Sequence, residues 1–430
     1  MKLETFVNTN LKAFAFDDIN RSIPCIIDGL KPSQRKVIYT ILNTPDKEIK
    51  VSQLASKAGE MTHYKHGETS LQGTAVGLAQ NHAGSNNYNL LEPIGQFGSI
   101  LSGTASSPRY IYTKATQNLR DVFLKEDDPI LETLIEEGYP IEPKHYNPIL
   151  PIYLLNGAKG IGTGFAVNIL NYNIKDIKRY ILNTLQNKPT KKLTPYYNGH
   201  DCLISKIDKQ TTFTGKLEII NTTTIHISSL PIGYDEDSYK KILVKMLEAN
   251  TIKDFTNNST SEGFSFGVKV LRSVTNGKTS DQLLKLFKLV TTQTENVTLL
   301  DEKKNVIVFD SVEESLDYFI DFRLKKYEDR IKSQKELNRN EFKFLNDKIV
   351  FITNWNKDNG IHKLSVDKIK DKILSWNIVE DNLDKLLAIK ISGLSVTNTD
   401  KLKFRMKELE DNYKWLSEIT SIKYYIEDLK

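Results

Sequence analysis

The sequence predicts an α+β multidomain protein, and three observations carry that expectation. Short amphipathic helices separated by turns fill the first third. Period-two apolar alternation mixes with helical stretches in the middle third. Heptad-spaced apolar residues run through the last third. A chain of 430 residues suits about two to four domains. The changes of pattern place their boundaries at 1–120, 121–310 and 311–430.

In the first third, RSIPCIIDGLKPSQRKVIYTIL has a turn at Asp28-Gly29 and then Pro32 in the first turn of a helix. Val37, Ile38, Ile41 and Leu42 form its apolar face. Lys31, Arg35 and Lys36 cluster at its start, where cations oppose the helix dipole and call for a compensating partner. A bound phosphate is one such partner, and plain solvation of the basic residues is the alternative. VSQLASKAGEM then predicts a short helix, THYKHGE a break, and SLQGTAVGLAQN a second helix from about Thr69 to Asn81. Helix, tight turn, helix is the helix-turn-helix arrangement. From Asn86 to Thr116, turn residues alternate with short apolar runs, the pattern of a β-wing with strands and bends.

The middle third is mixed. PIYLLNGAKGIGTGFAVNI is apolar with repeated glycines, and TGKLEIINTTTIHISSLP alternates like two strands of a hairpin. Asp237–Glu248 and Ser280–Leu289 read as helices, so an α/β domain is the simplest summary. In the last third, apolar residues recur at Leu316, Ile320, Leu324, Tyr327 and Ile331, and again at Leu402, Met406, Leu409, Tyr413 and Leu416. Both are heptad-like seams with charged flanks. About 60 further helix-forming residues separate them, which predicts a long antiparallel coiled coil with a globular tip.

Composition narrows the class. Hydrophobic residues make up 39% and charged residues 26%, so the chain is neither disordered nor collagen-like. No stretch approaches the ~18–20 apolar residues of a membrane span, and the start, MKLETF, has no apolar core of a signal peptide. Cys25 and Cys202 lie far apart with no CxxC, which argues against a disulfide framework and a zinc ribbon. A reducing, cytoplasmic compartment is therefore expected. Residues 1–120 carry 13 Lys/Arg against 9 Asp/Glu, whereas 301–430 carry 25 of each. The basic excess is N-terminal and hints at a polyanionic partner there.

Three constellations carry chemistry. In PRYIYT, a strand would put Tyr110 and Tyr112 on one side and Arg109 on the other. A tyrosine beside an arginine can attack a phosphodiester while cations stabilise the charge on phosphorus. A surface strand with two packing tyrosines is the alternative. In YKHGE, His66 precedes a helix whose amino end attracts anions. His63 and His66 also suggest a metal pair, but the spacing is not HExxH and no third ligand is evident. In NGAKGIGTGF, glycines at 157, 160, 162 and 164 permit close backbone approach, and Ile161 would project as a wedge able to part base pairs. A buried loop isoleucine is the alternative. The segment lacks the GK[ST] of a phosphate-binding P-loop.

In their order, RSIP…DGLKPSQRKV, YKHGE, IGQFGS, PRYIYT and NGAKGIGTG strongly resemble the DNA breakage–reunion (A-type) subunit of type IIA DNA topoisomerases. The match is dense over about 15–170 and looser to the C-terminus. Length and the end at Lys430 resemble the medium subunit of T4-like phage enzymes, with the host cytoplasm as compartment. Spellings such as GSNNYNLLEPIGQFG look closer to eukaryotic relatives.

The resemblance implies a winged-helix DNA-binding and cleavage domain, an α/β tower domain and a coiled coil ending in a helical C-gate. It implies that Tyr110 forms a transient link to a DNA 5′ phosphate and that Arg109 and Arg21 hold the scissile phosphate. His66 becomes a proton acceptor or relay. Lys31, Arg35, Lys36 and Lys65 become DNA-backbone contacts, and Ile161 the residue that intercalates. The implied partners are double-stranded DNA, a second copy of the chain and an ATPase/Toprim B-type subunit in an A2B2 complex. That subunit would hold Mg²⁺ and ATP, leaving no metal site in this chain. Without a β-rich wrapping domain, ATP-dependent relaxation and decatenation are expected rather than supercoiling. Two sites depart from bacterial relatives: Tyr64-Lys65 stands where they have His-Pro, and Gly73 where gyrases usually carry an acid. The competing classes are a metal-dependent phosphohydrolase using His63 and His66, and a non-catalytic dimeric DNA-binding coiled-coil scaffold.

Overall fold

The computed structural model describes residues 3–358, 360–390, 394 and 396–430. The chain divides into two units, Met1–Arg323 with Leu429, and Leu324–Asp428 with Lys430. The first opens with α1 (Leu3–Phe6), a π-helical turn (Val7–Leu11) and α2 (Lys12–Ser22). In α3 (Pro32–Leu42), Pro32 takes the first helical position after an extended Lys31, and Gln34 accepts the Lys31 N–H at 2.9 Å. After β1 (Ile49–Lys50) come α4 (Val51–Met61) and α5 (Glu68–Ala79). The three helices bury Val37, Ile38, Leu54, Ala55, Leu71 and Ala75 between them, and the expected helix-turn-helix is formed.

The wing is less regular than its sequence suggests. Its one named strand, β2 (Tyr112–Thr113), pairs antiparallel with β1, and single bridges join Leu91 to Ala115 and Ile94 to Tyr112. The stretch between is rich in Gly, Ser and Pro, which contribute little to a ladder. Gly95 and Gly98 both take positive φ there.

Beyond the Thr116-capped α6 (Gln117–Val122), β3 (Thr133–Glu136) and β4 (Tyr139–Pro143) form a hairpin. The short α7 (Ile152–Leu155) leads into a second hairpin of β5 (Ala158–Gly162) and β6 (Phe165–Ile169). Next come α8 (Ile174–Leu185), β7 (Leu203–Ile207), β8 (Gln210–Thr214), β9 (Lys216–Asn221) and β10 (Thr224–Ser229). Then follow α9 (Glu236–Glu248), β11 (Asp254–Asn257), β12 (Phe266–Lys269), α10 (Arg272–Thr275) and α11 (Ser280–Leu286). The last strands are β13 (Val290–Thr294), β14 (Val297–Leu300) and β15 (Val306–Phe309). The sheets run β11-β12-β10-β9 and β13-β8-β7. Ile225, Ile227 and Phe266 of the larger sheet pack on Tyr239 and Leu243 of α9 and Leu283 of α11. The α11 helix stops short of Leu289 because Lys288 takes a left-handed φ of 56°.

The heptad segments are helices. α12 (Val312–Lys357) carries the chain into the second unit, followed by α13 (Val366–Leu374), α14 (Leu383–Leu387), α15 (Val396–Glu418) and α16 (Ser421–Asp428). The pairing is antiparallel. Glu341 meets Arg405 at 2.9 Å, Gln334 meets Tyr424 at 3.2 Å and Arg330 meets Asp428 at 2.6 Å, so numbers fall on α12 as they rise on α15 and α16. Tyr327, Leu409 and Leu416 are buried in the seam, whereas Tyr413 is exposed. Phe351, Ile352, Ile373, Ile378, Leu383 and Leu386 form the separate core of the tip. Among the described residues, no helix is long and apolar enough to cross a membrane.

Candidate functional site

A helix leaves its first N–H groups without intrahelical acceptors. In α4 those groups hold the turn that carries Tyr110. Val51 N–H donates to the Ile111 carbonyl and Ser52 N–H to the Pro108 carbonyl, both at 3.1 Å. Tyr110 N–H closes the turn on the Ser107 carbonyl at 2.9 Å. Ile111 is buried while the Tyr110 side chain is 70% exposed. This corrects the expected strand: Pro108–Tyr110 is a turn, and the strand begins at Tyr112. The turn also sets Arg109 beside Tyr110 rather than opposite it, with the guanidinium 5.7 Å from the ring centroid. Arg109 Nε donates to Ser107 Oγ at 3.3 Å. An exposed phenol with an adjacent guanidinium is equipped to attack a phosphodiester and to bind its anionic oxygens.

A second cluster packs the hairpin that carries Ile161 against Lys31 and against the α2 turn that carries Arg21. Exposed Arg21 lies in the last turn of α2, and the next residue, Ser22, turns its carbonyl toward the β5–β6 hairpin. Only glycine fits at 160, because a Cβ there would collide with the Ser22 oxygen. Lys31 Nζ donates to the Lys159 carbonyl at 2.6 Å. Burial holds the Lys31 ammonium below the usual lysine range. At the hairpin's turn, Asp18 Oδ2 accepts the Thr163 N–H and hydroxyl, each at 2.8 Å. Ile161 itself is 84% exposed. The buried-loop alternative for this isoleucine is therefore excluded.

Arg35 and Lys36 find partners inside the protein. Arg35 is 7% exposed. Its Nε and Nη2 donate to Asp28 at 2.6 and 3.0 Å, and Nη2 also donates to the Leu30 carbonyl at 3.1 Å. Burial works against this guanidinium's proton, and Asp28 more than offsets it, so its pKa is raised. Lys36 Nζ lies 2.8 Å from Glu142 and donates to the Thr62 carbonyl at 2.9 Å. The compensation that the α3 cations call for is thus two buried carboxylates. This corrects the picture of solvent-facing cations at 35 and 36.

The loop between α4 and α5 is held by the β3–β4 hairpin. Lys65 pairs with Glu136, and His63 stacks on Tyr139 at 5.3 Å with Nδ1 3.6 Å from Glu137. His66 is exposed just before Gly67, the N-cap of α5, with the Tyr64 ring edge-on at 5.3 Å. Among the described residues, no group of three His, Cys, Asp or Glu side chains is placed to hold a metal ion. Nor does a hydrogen bond, ion pair or ring contact among the described residues join Tyr110 to His66, Arg21 or Ile161.

Sequence reasoning missed several residues that position the site: Val51, Ser52, Asp18, Thr163, Asp28 and Glu142. Asp28 carried a signal, since a carboxylate seven residues before a basic helical residue can cap the turn that precedes the helix. Asp18 and Thr163, 145 positions apart, carried none.

The whole fold matches the crystal structure of the Plasmodium falciparum topoisomerase II DNA-binding, cleavage and re-ligation domain. The TM-score is 0.91 at 33% identity, over 99% of this chain and 63% of that one. That defines the class as type IIA. Residues 21–430 match the family model for the A-type subunit of DNA gyrase/topoisomerase IV, and the chain belongs to that family. Among curated relatives, the DNA topoisomerase 2 of Bombyx mori is 36% identical over 415 residues, covering 92% of this chain and 26% of its own. That of Caenorhabditis elegans is 38% identical over 365 residues, covering 80% and 24%. The chain spans about a quarter of the length of these relatives.

Proposed function

We propose that this chain is the DNA-cleaving and religating subunit of a type IIA topoisomerase, with Tyr110 as nucleophile. The observation that carries the reading is the exposed Tyr110 phenol on a turn clamped across the α4 N-terminus with Arg109 beside it. The phenolic oxygen attacks a backbone phosphorus, the bond to the 3′ oxygen breaks, and the phosphate stays on Tyr110 as a 5′-phosphotyrosyl ester. The phenol's proton leaves as the 3′ oxygen gains one, and a phenol of pKa near ~10 needs an acceptor at neutral pH. His66 is assigned as that acceptor or relay. Arg109 and Arg21 bind the phosphate oxygens, whose charge grows in the transition state. Attack by the 3′ hydroxyl reverses the step, and the ester conserves the bond energy, so resealing consumes no nucleotide.

Ile161 is the wedge that bends the cut duplex. Lys31 and Lys65 contact the DNA backbone, whereas Arg35 acts through the Asp28–Leu30 turn it holds and Lys36 through its link between Glu142 and the Thr62 carbonyl. Residues 1–120 form the winged-helix cleavage domain, 121–310 the tower and 311–430 the arm and C-gate that keep a homodimer joined while the gate is open. ATP and Mg²⁺ belong to a Toprim/ATPase partner of A2B2 stoichiometry, and the outcome is ATP-dependent relaxation and decatenation.

The test is a cleavage reaction with duplex DNA and the Toprim/ATPase partner, stopped with denaturant. Wild type is expected to remain attached to 5′ ends, and Tyr110→Phe is not. An equal yield from Tyr110→Phe removes the assignment. Binding without any adduct, in the presence of an active partner, supports a scaffold instead.

A further inference from the structure

We propose that Asp18 is a positioning residue: it locks the Ile161 hairpin to the α2 helix, so that the wedge and Arg21 move as one body on DNA. The inference rests on the reading of Ile161 as the wedge, and it assigns a role to a residue that lies before the family match at 21–430. Ile161 projects 84% exposed from a two-stranded hairpin, and such a ribbon alone is too flexible to resist the force of unstacking a base step. Something must brace it.

Both strands are braced. Asn296 holds β6, exchanging backbone hydrogen bonds with Asn168 at 2.9 and 3.0 Å and donating its Nδ2 to the Ala166 carbonyl at 2.7 Å. The turn and β5 are held from α2 and Lys31. Asp18 Oδ2 accepts two hydrogen bonds from Thr163, one from the backbone N–H and one from the hydroxyl, each at 2.8 Å. This fixes the turn two residues beyond Ile161. Gly162 faces Ile19, where a Cβ would lie 3.2 Å from its Cα, and Gly160 lies against the Ser22 carbonyl. Lys31 anchors the near strand through the Lys159 carbonyl at 2.6 Å. The contacts at 18, 19 and 22 all come from one helical turn, and Arg21 sits among them. Load on Ile161 that runs through β5 and the hairpin turn therefore passes into the turn that carries Arg21. Asp18 is the charged member among the α2 contacts and holds two donors at once, both in charge-assisted bonds.

The experiment uses the full chain as purified, a duplex labelled at both ends and two readouts: anisotropy for affinity and energy transfer for bending. The variants are Asp18→Ala, Asp18→Asn, Thr163→Val and Ile161→Ala, each checked by circular dichroism. Asp18→Ala is expected to lose at least about half of the bend while its Kd rises less than about threefold, because deformation and backbone contact are separate terms. Asp18→Asn keeps an acceptor for the Thr163 N–H and should recover most of the bend. Thr163→Val, which lacks only the hydroxyl bond, should lie between, and it decides the matter if Asp18→Ala does not fold. Bending by Asp18→Ala and Thr163→Val at the wild-type level overturns the proposal. So does an equal loss of affinity and bend in both Asp18 variants, since that marks a charge effect. If Ile161→Ala bends DNA fully, the wedge reading itself fails. If Ile161→Ala loses the bend while Asp18→Ala keeps it, only the bracing role of Asp18 fails.

Discussion

Val51 donates its backbone N–H to the Ile111 carbonyl at 3.1 Å, one residue past Tyr110. The bond uses an orphan donor at the start of α4 to fix the backbone beside the proposed nucleophile. Val51 is the first residue of the helix and follows an extended Lys50, a position that accepts proline. Val51→Pro therefore removes this bond and keeps the helix start, with a change of packing at a fully buried side chain. Covalent adduct yield should fall about tenfold, since a small misplacement of a reacting group is costly. Circular dichroism should stay that of the wild type.

Arg35 is held by Asp28 inside the protein, so its removal is a stability lesion. Arg35→Ala leaves Asp28 buried and unpaired and should cost about 3–5 kcal/mol in denaturant unfolding. Asp28 also accepts the Leu30 and Tyr146 N–H groups, at 3.0 and 3.1 Å, so the loss should loosen the turn leading into α3. At a temperature where the variant is folded, its DNA affinity should remain within about threefold of wild type.

Gly160 has no room for a side chain. Gly160→Ala must push the β5–β6 hairpin off the Ser22 carbonyl. A cost of about 1–3 kcal/mol is expected in thermal unfolding, as for overpacked sites. Gly164, whose φ of +80° is open to space, should cost only the backbone strain of about 1 kcal/mol on the same change.

His200 predicts a pH dependence. Burial lowers its pKa from 6.5 to about 4, and Nδ1 accepts the Cys202 N–H at 3.4 Å, a role only the neutral ring can play. Between those values the unfolded chain binds a proton that the folded chain does not. Stability should therefore fall as pH drops from about 6.5 to about 4, by on the order of 2–3 kcal/mol, and this contribution should level off below. His200→Gln should flatten that part of the unfolding profile.

The parts of the fold legible from sequence were those fixed by local repetition. The α3 face at Val37, Ile38 and Ile41 is buried as its spacing predicts, and of the heptad-spaced residues in α12, Leu316, Ile320 and Tyr327 are buried while Leu324 and Ile331 are half-buried. The Tyr110 turn was not legible, because PRYIYT has the composition of a strand and becomes a turn only where the α4 N–H groups capture two of its carbonyls. The chemistry of Arg109 and Tyr110 was visible as adjacent residue types, but their placement side by side depended on that turn. The fate of Arg35 depended on Asp28, seven residues before it and locally readable, whereas that of Lys36 depended on Glu142, more than 100 positions away, which no local pattern shows.

The central claim is that Tyr110 carries DNA, and the most direct measurement is to find the nucleotide on it. The denatured adduct is digested with nuclease and trypsin, and the peptide following Arg109, YIYTK, is sequenced by mass spectrometry. It contains both Tyr110 and Tyr112, so fragmentation separates them. The expected result is a 5′-phosphonucleotide on Tyr110 and an unmodified Tyr112. A nucleotide on Tyr112, or on a residue outside this peptide, would contradict the claim.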